Sequence, residues 1–249
     1  MQSLAGKVAV ITGGSSGVGK AMAQLFTRQG AQVLITGRNR NALDDALREI
    51  GSGATGLQGD AGDLDHHERL ADEIRRRFGS LDIFVANAGV ISLAPSAKVA
   101  VADYDRQFAV NTRGVFFGVQ AVLPLLRFGG SIILVGSLAA TKVLANHAVY
   151  AGTKAAIAAF ARNWALEFKE RRIRVNVLNP GPIHTSLSSR CHVGDEERQA
   201  LLKTLCSMNP TGRFADADEI AHSALFLASD GGRFVNGIDL PVDGGMSLA

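Results

Sequence analysis

A glycine cluster at 12–19, TGGSSGVG, separates a short apolar run at 7–12 from an amphipathic run at 18–29, and a second apolar run at 31–36 follows Gly30. Strand, glycine turn, helix and strand in that order form a βαβ unit, because the apolar period changes from that of a buried strand to that of a helix and back. Two strands joined by so long a crossover pair in parallel, whereas antiparallel neighbours need only a two-residue turn. A parallel pair is buried on both faces, so helices must cover the sheet from both sides.

The same alternation runs to the end of the chain. Further strands are expected at 55–58, 81–86, 131–136, 171–178 and 238–242. Helices are expected at 41–50, 64–78, 101–126, 149–168 and 216–228. Neither a repeat nor a linker interrupts them, and 249 residues with 47% hydrophobic and 20% charged side chains suit one folded unit. The sequence therefore predicts an α/β fold, a doubly wound parallel sheet (Rossmann fold), as a single domain over 1–249. Residues 184–210 make a long, mostly polar excursion at the ligand-binding edge, which is expected to act as a substrate lid.

Several function classes are disfavoured. The net charge is only +3, and apart from Arg75–Arg77 the basic residues are scattered without interleaved aromatics, so no nucleic-acid partner is expected. No charged leader with a long apolar run and no membrane span is seen, which predicts a cytoplasmic protein without a membrane partner. The two cysteines, Cys191 and Cys206, suggest a reducing compartment rather than a disulfide framework. The six histidines have no metal spacing, and no metal is expected; His66 and His67, side by side on a polar helix, read as solvated.

Residues able to do chemistry gather at the carboxyl ends of the strands, where an open parallel sheet binds ligands. Gly13, Gly17 and Gly19 either cradle a phosphate at a helix start or simply make a tight turn. Where an NAD site would place an acid after the second strand, this chain has Gly37 and Arg38, a guanidinium for an extra phosphate or a solvated turn residue. Asp60 is placed to reach an adenine amine or to cap a helix. Asn111 and Gly114 sit inside a long apolar helix where neither is favoured, and read as a tolerated defect or as an irregularity that frees a carbonyl toward water. Ser137 follows a buried strand, and Tyr150 and Lys154 lie four apart on one helix face, an arrangement that favours the phenolate if the two meet and is an ordinary surface pair if they do not.

Taken together, TGGSSGVG at 12–19, AsnAlaGly at 87–89, Ser137 with Tyr150-x-x-x-Lys154, and ProGly at 180–181 resemble the short-chain dehydrogenase/reductase family, in its compact single-domain branch, over nearly the whole chain. The resemblance implies an oxidoreductase that interconverts a ketone or other carbonyl and a secondary alcohol. It implies Tyr150 as general acid and base, Lys154 as the group that lowers its pKa and holds the nicotinamide ribose, Ser137 on the substrate oxygen, and Asn111 holding a relay water. Gly13, Ser15, Ser16, Gly17, Val18 and Gly19 would line the pyrophosphate. Arg38, alone or with Arg40 or Asn39, would meet the 2′-phosphate, Asp60 and Ala61 the adenine, and Asn87, Ala88 and Gly89 the adenosine side. Pro180, Gly181, Ile183 and Thr185 would seat the nicotinamide. NADP(H) is expected over NAD(H), although Ser16 stands where many NADP-preferring relatives have a basic residue. The alternatives are an NAD(H)-preferring alcohol dehydrogenase and a catalytically idle dinucleotide sensor. Enoyl-reducing members space Tyr and Lys seven apart, so this chain resembles the carbonyl-reducing ones. The helix of Tyr150, apolar almost all round, suits the homotetramer or homodimer usual in the family, with a small-molecule substrate as the other partner.

Overall fold

The central strands are Val- and Ile-rich because they are buried on both faces and alternate their side chains between two helical layers, while the edge strands, ATGLQ and DLPV, are only half-buried. A computed structural model describes residues 3–184 and 206–249. Its strands are β1 (Val8–Ile11), β2 (Gln32–Gly37), β3 (Ala54–Gln58), β4 (Leu81–Ala86), β5 (Leu126–Val135), β6 (Arg174–Pro180) and β7 (Asp239–Val242). All pair in parallel in the order β3-β2-β1-β4-β5-β6-β7, a doubly wound sheet whose order reverses at β1 and β4. The helices are α1 (Gly17–Arg28), α2 (Arg40–Ile50), α3 (Leu64–Phe78), α4 (Val101–Phe108), α5 (Gly114–Val122), α6 (Ala148–Glu167) and α7 (Ala217–Ala228).

Period-2 alternation sorts the strand residues into two cores. Ala9, Ile11, Ile83, Val85 and Ile133 pack on the side of Met22, Phe26 and Leu227, which brings α1 and α7 together. Val10, Phe84, Ile132, Leu134 and Val175 pack on the side of Leu70, Val119, Ile157 and Trp164, under α3, α5 and α6. The apolar segment Val101–Leu125, long enough by composition to cross a membrane, instead buries Val110, Val115, Val119 and Val122 in the protein.

Three expectations need correction. The helix expected over 101–126 is not continuous: α4 passes into a π-turn at Ala109–Arg113, α5 follows, and β5 begins at Leu126 with a register shift opposite Leu81 and Ile83. The sixth strand starts at Arg174 rather than 171, since Lys169–Arg171 is a tight turn closed by Arg172 in the left-handed region at φ 51°. His66 and His67 are not solvated but buried, because a glycine opposes each ring: a Cβ on Gly59 would overlap His66, and one on Gly118 would lie 3.1 Å from the His67 ring.

Burial sets how these histidines titrate. It pushes His66 down from 6.5 to about 4, helped by the charges of His67 and Arg69, and it lowers His67 too despite a 2.9 Å bond between Nε2 and the Ala61 carbonyl. A histidine whose folded pKa is depressed loses stability progressively over the pH range in which the unfolded chain is protonated and the folded chain is not, and the loss is complete below the folded pKa. Stability from His66 should therefore fall as pH drops below about 6.5 and level off near 4, a loss of roughly 3 kcal/mol. Denaturant midpoints between pH 7.5 and 4 should decline more steeply for wild type than for His66→Leu; parallel declines would contradict this origin.

Candidate active site

The loop after β1 folds back on itself to approach the end of β4. Gly13 and Gly17 adopt positive φ of 66° and 54°, which residues with a Cβ rarely accept. Gly19 is needed for contact: a Cβ there would overlap the Gly13 carbonyl and lie 2.5 Å from Asn87 Nδ2. Asn87 Nδ2 donates to the carbonyls of Thr12 at 2.9 Å and Gly13 at 3.1 Å, while the amides of Asn87 and Ala88 donate to Thr12 Oγ1 at 3.0 and 3.1 Å. Thr12 thus joins the two loops, a role that the sequence analysis missed because the partners are 75 residues apart.

A cleft of about 460 Å³ opens along this line. Of the expected cofactor residues it is bordered by Gly13, Ser15, Ser16, Gly17, Val18 and Gly19 around the start of α1; by Arg38, Asp60 and Ala61 beyond β2 and β3; and by Asn87, Ala88, Gly89 and Ile183 across from them. Ser16 makes no side-chain cap bond and the first turn of α1 holds no acid, so its amides and dipole are left to face an anion. A glycine-lined groove closed to any added Cβ at Gly19, with a helix start beside it and a guanidinium at one end, fits the pyrophosphate and ribose of a dinucleotide. The side chain of Asn39 caps α2 by accepting from Ala42 N at 3.1 Å, so it is already engaged.

The polar residues of the far end converge on Gly89, where a Cβ would lie 3.5 Å from Asn111 Oδ1 and 3.6 Å from Lys154 Nζ. Asn111 is fully buried in the π-turn, accepting from Val90 N at 2.8 Å and donating to Val90 O at 2.8 Å and to Thr153 Oγ1 at 3.1 Å. Its amide is spent on protein partners, and the irregular turn is therefore a built feature, not the tolerated defect. Thr153 Oγ1 in turn donates to the Tyr150 carbonyl at 2.7 Å, linking the π-turn to the first turn of α6. Lys154, nearly buried, donates from Nζ to Val135 O at 2.8 Å, and the ammonium stands 5.7 Å from the centre of the half-buried Tyr150 ring. The pair is not an ordinary surface contact.

Ser137 begins the tight turn Leu138–Ala140 that packs against α6. Its Oγ accepts from Ala139 N at 3.2 Å, and its own amide donates to Asn179 Oδ1 at 3.0 Å. Asn179, buried near the end of β6, is a second positioning residue, and the sequence marked only the ProGly that follows it. After Pro180, Gly181 N donates to Val242 O at 3.1 Å, and Ile183 bridges to Ala215. Thr185 and most of the expected lid at 184–210 lie outside the described residues. His184, which remains, packs edge-on against Phe214 with ring centres 5.6 Å apart. Among the described residues no cluster of His, Cys, Asp and Glu suits a metal ion.

A family profile described as enoyl-(acyl carrier protein) reductase matches residues 13–247. The chain is 37% identical to oxidoreductase asL5 of Sarocladium schorii, covering 99% of this chain and 98% of that protein. It is 36% identical to D-threitol dehydrogenase of Mycolicibacterium smegmatis, over 98% and 94%. Among solved structures, a blue fluorescent protein from a metagenomic library in complex with NADPH superposes with a TM-score of 0.90 at 31% identity, over 98% of this chain and 99% of that one. The chain belongs to the short-chain dehydrogenase/reductase family and is an NAD(P)-dependent oxidoreductase.

Proposed function

We propose that this protein is an NADP(H)-dependent oxidoreductase that interconverts a small ketone or other carbonyl compound and a secondary alcohol, with Tyr150 as the general acid and base. The observation that carries this reading is the convergence of Asn111 and Lys154 on Gly89, with Lys154 beside the Tyr150 ring. When bound, the nicotinamide supplies a hydride to the carbonyl carbon or accepts one from the alcohol. In reduction Tyr150 Oη gives its proton to the substrate oxygen, and in oxidation it takes that proton back. The Lys154 ammonium, fixed by the Val135 carbonyl, favours the phenolate left behind. Ser137 Oγ donates to the substrate oxygen and stabilises its developing charge. The Asn111 backbone carbonyl, on a π-turn, accepts from a water that returns protons to the site. Pro180, Gly181, Ile183 and Thr185 hold the nicotinamide end.

Arg38 supports NADP(H) over NAD(H), since it borders the cleft where an NAD site would carry an acid. Few cysteines and a fold built around a nicotinamide cofactor support a cytoplasmic location.

The enoyl-reductase description of the matching profile favours a second reading, reduction of a conjugated carbon–carbon double bond. Tyr150 and Lys154 sit one helical turn apart, which supports carbonyl chemistry instead. A conjugated enone with deuterated NADPH separates the two. The allylic alcohol with deuterium on the carbonyl carbon is expected; the saturated ketone with deuterium on the β-carbon would overturn the proposal.

A homodimer or homotetramer is supported by the outer face of α4, α5 and α6. Phe108, Phe116, Phe117 and Phe160 line a hollow of about 560 Å³ there, with Asp105 and Arg113 on its rim. An exposed apolar hollow with charged residues beside it suits burial against a second copy of the same chain. Sedimentation should give a dimer or tetramer that Phe117→Glu shifts toward smaller species. A monomeric wild type would contradict it.

A further inference from the structure

Asp60, Ala61 and Gly62 run from β3 toward α3 at the adenosine end of the cleft, and two arginines, one on α4 before the π-turn and one at the end of that turn, hold this segment. Arg106, on α4, donates from Nη2 to Asp60 Oδ2 at 2.8 Å, and Arg113 donates from Nη2 to Gly62 O at 3.1 Å. The Gly62 amide donates to the other Asp60 oxygen, Oδ1, at 2.8 Å. Behind them the α5 backbone is so close that a Cβ on Gly114 would overlap the Ala61 carbonyl. Asp60 therefore has both oxygens tied and one orientation, and it borders the cleft together with Arg106. Burial pushes its carboxyl up, but the Gly62 amide, Arg106 and Arg38 outweigh that and hold it below the usual carboxylate range. At neutral pH it is an acceptor only, which suits the exocyclic amine of adenine and not a phosphate.

We infer that Arg106 is a positioning residue for the adenine of the cofactor, holding the Asp60 carboxylate in the one orientation that faces the cleft. The inference rests on the dinucleotide reading above. It separates the two arginines of this end of the cleft: Arg38 discriminates the 2′-phosphate, whereas Arg106 acts on the adenine that NADP(H) and NAD(H) share. The ion pair is partly exposed, with side-chain accessibilities of 39% and 31%, so its loss should leave the fold intact.

Fluorescence titration of NADPH, NADH and reduced nicotinamide mononucleotide, which lacks adenosine, tests the assignment in wild type, Arg106→Leu and Arg106→Lys. Arg106→Leu should weaken NADPH and NADH by the same factor, about five- to tenfold, with reduced nicotinamide mononucleotide and the melting temperature unchanged. Arg106→Lys should recover part of the loss, since it restores a charge but not the planar fork. Weakening of NADPH alone would give Arg106 to the 2′-phosphate and overturn the inference, as would unchanged binding or an equal loss of the mononucleotide. Should Arg106→Leu fail to fold, Asp60→Asn must produce the same loss for both dinucleotides, and unchanged binding there would overturn it equally. Wild type that binds neither dinucleotide would instead overturn the cofactor reading from which the inference starts.

Discussion

Tyr150→Phe should lower kcat by about a thousandfold, within the range of roughly 10²–10⁴ that a positioned acid or base contributes, while cofactor affinity changes by less than about threefold. The substitution removes one oxygen and keeps the ring, so the edge contact with His147 at 6.4 Å and the position over the Lys154 ammonium survive. Lys154 offers a less clean test: replacing it leaves the buried Val135 carbonyl without its 2.8 Å donor, and a folding cost of about 1–3 kcal/mol would mix with any catalytic effect. Steady-state rates with NADPH fluorescence titration on the same samples separate turnover from binding. Normal turnover in Tyr150→Phe would remove the proton-transfer role.

Arg38→Asp should reverse the cofactor preference, lowering the ratio of kcat/KM for NADPH to that for NADH by roughly 10² or more. Loss of a charge-assisted bond to the 2′-phosphate accounts for about 1.5–3 kcal/mol, equivalent to between one and two factors of ten. The new carboxylate repels that phosphate and accepts from the ribose hydroxyls of NADH, which adds to the shift. The Arg38 carbonyl accepts from Gln58 Nε2 at 2.9 Å, a bond that survives the change. Parallel kinetics with both cofactors check the ratio; an unchanged ratio would return Arg38 to a solvated turn residue.

What could be read in the sequence was whatever depends on local pattern. Strands with short, almost wholly apolar runs, such as Val8–Ile11, and the glycine turn before α1 carry their own period and turn chemistry, and their order pointed to a parallel sheet. The glycines, Arg38, Asp60 and Asn87 fell on strand ends, so the sheet itself brought them into one cleft. The π-turn was not legible in the same way. Asn111 reads as a poor helix former, and only Val90 and Thr153, respectively 21 and 42 residues away, turn its amide into a fixed support. His66 and His67 looked solvated because their neighbours in sequence are charged, yet the space that receives them is made by Gly59 and Gly118 on other elements. Thr12 sits at the edge of the glycine motif, Asn179 beside ProGly and Arg106 in no motif, and all three act through partners 42 to 75 residues distant. Local chemistry placed the reactive groups, and long-range hydrogen bonds that no pattern announces hold them still.

The most direct test of the central claim is the oxidation of NADPH and of NADH, followed by absorbance in parallel, by wild type and Tyr150→Phe with a panel of aliphatic, aryl, cyclic and β-keto carbonyl compounds. Oxidation that is faster with NADPH, yields the secondary alcohol and disappears in Tyr150→Phe is the expected result. Oxidation that persists in Tyr150→Phe, or tight dinucleotide binding without turnover of any carbonyl compound, would contradict it.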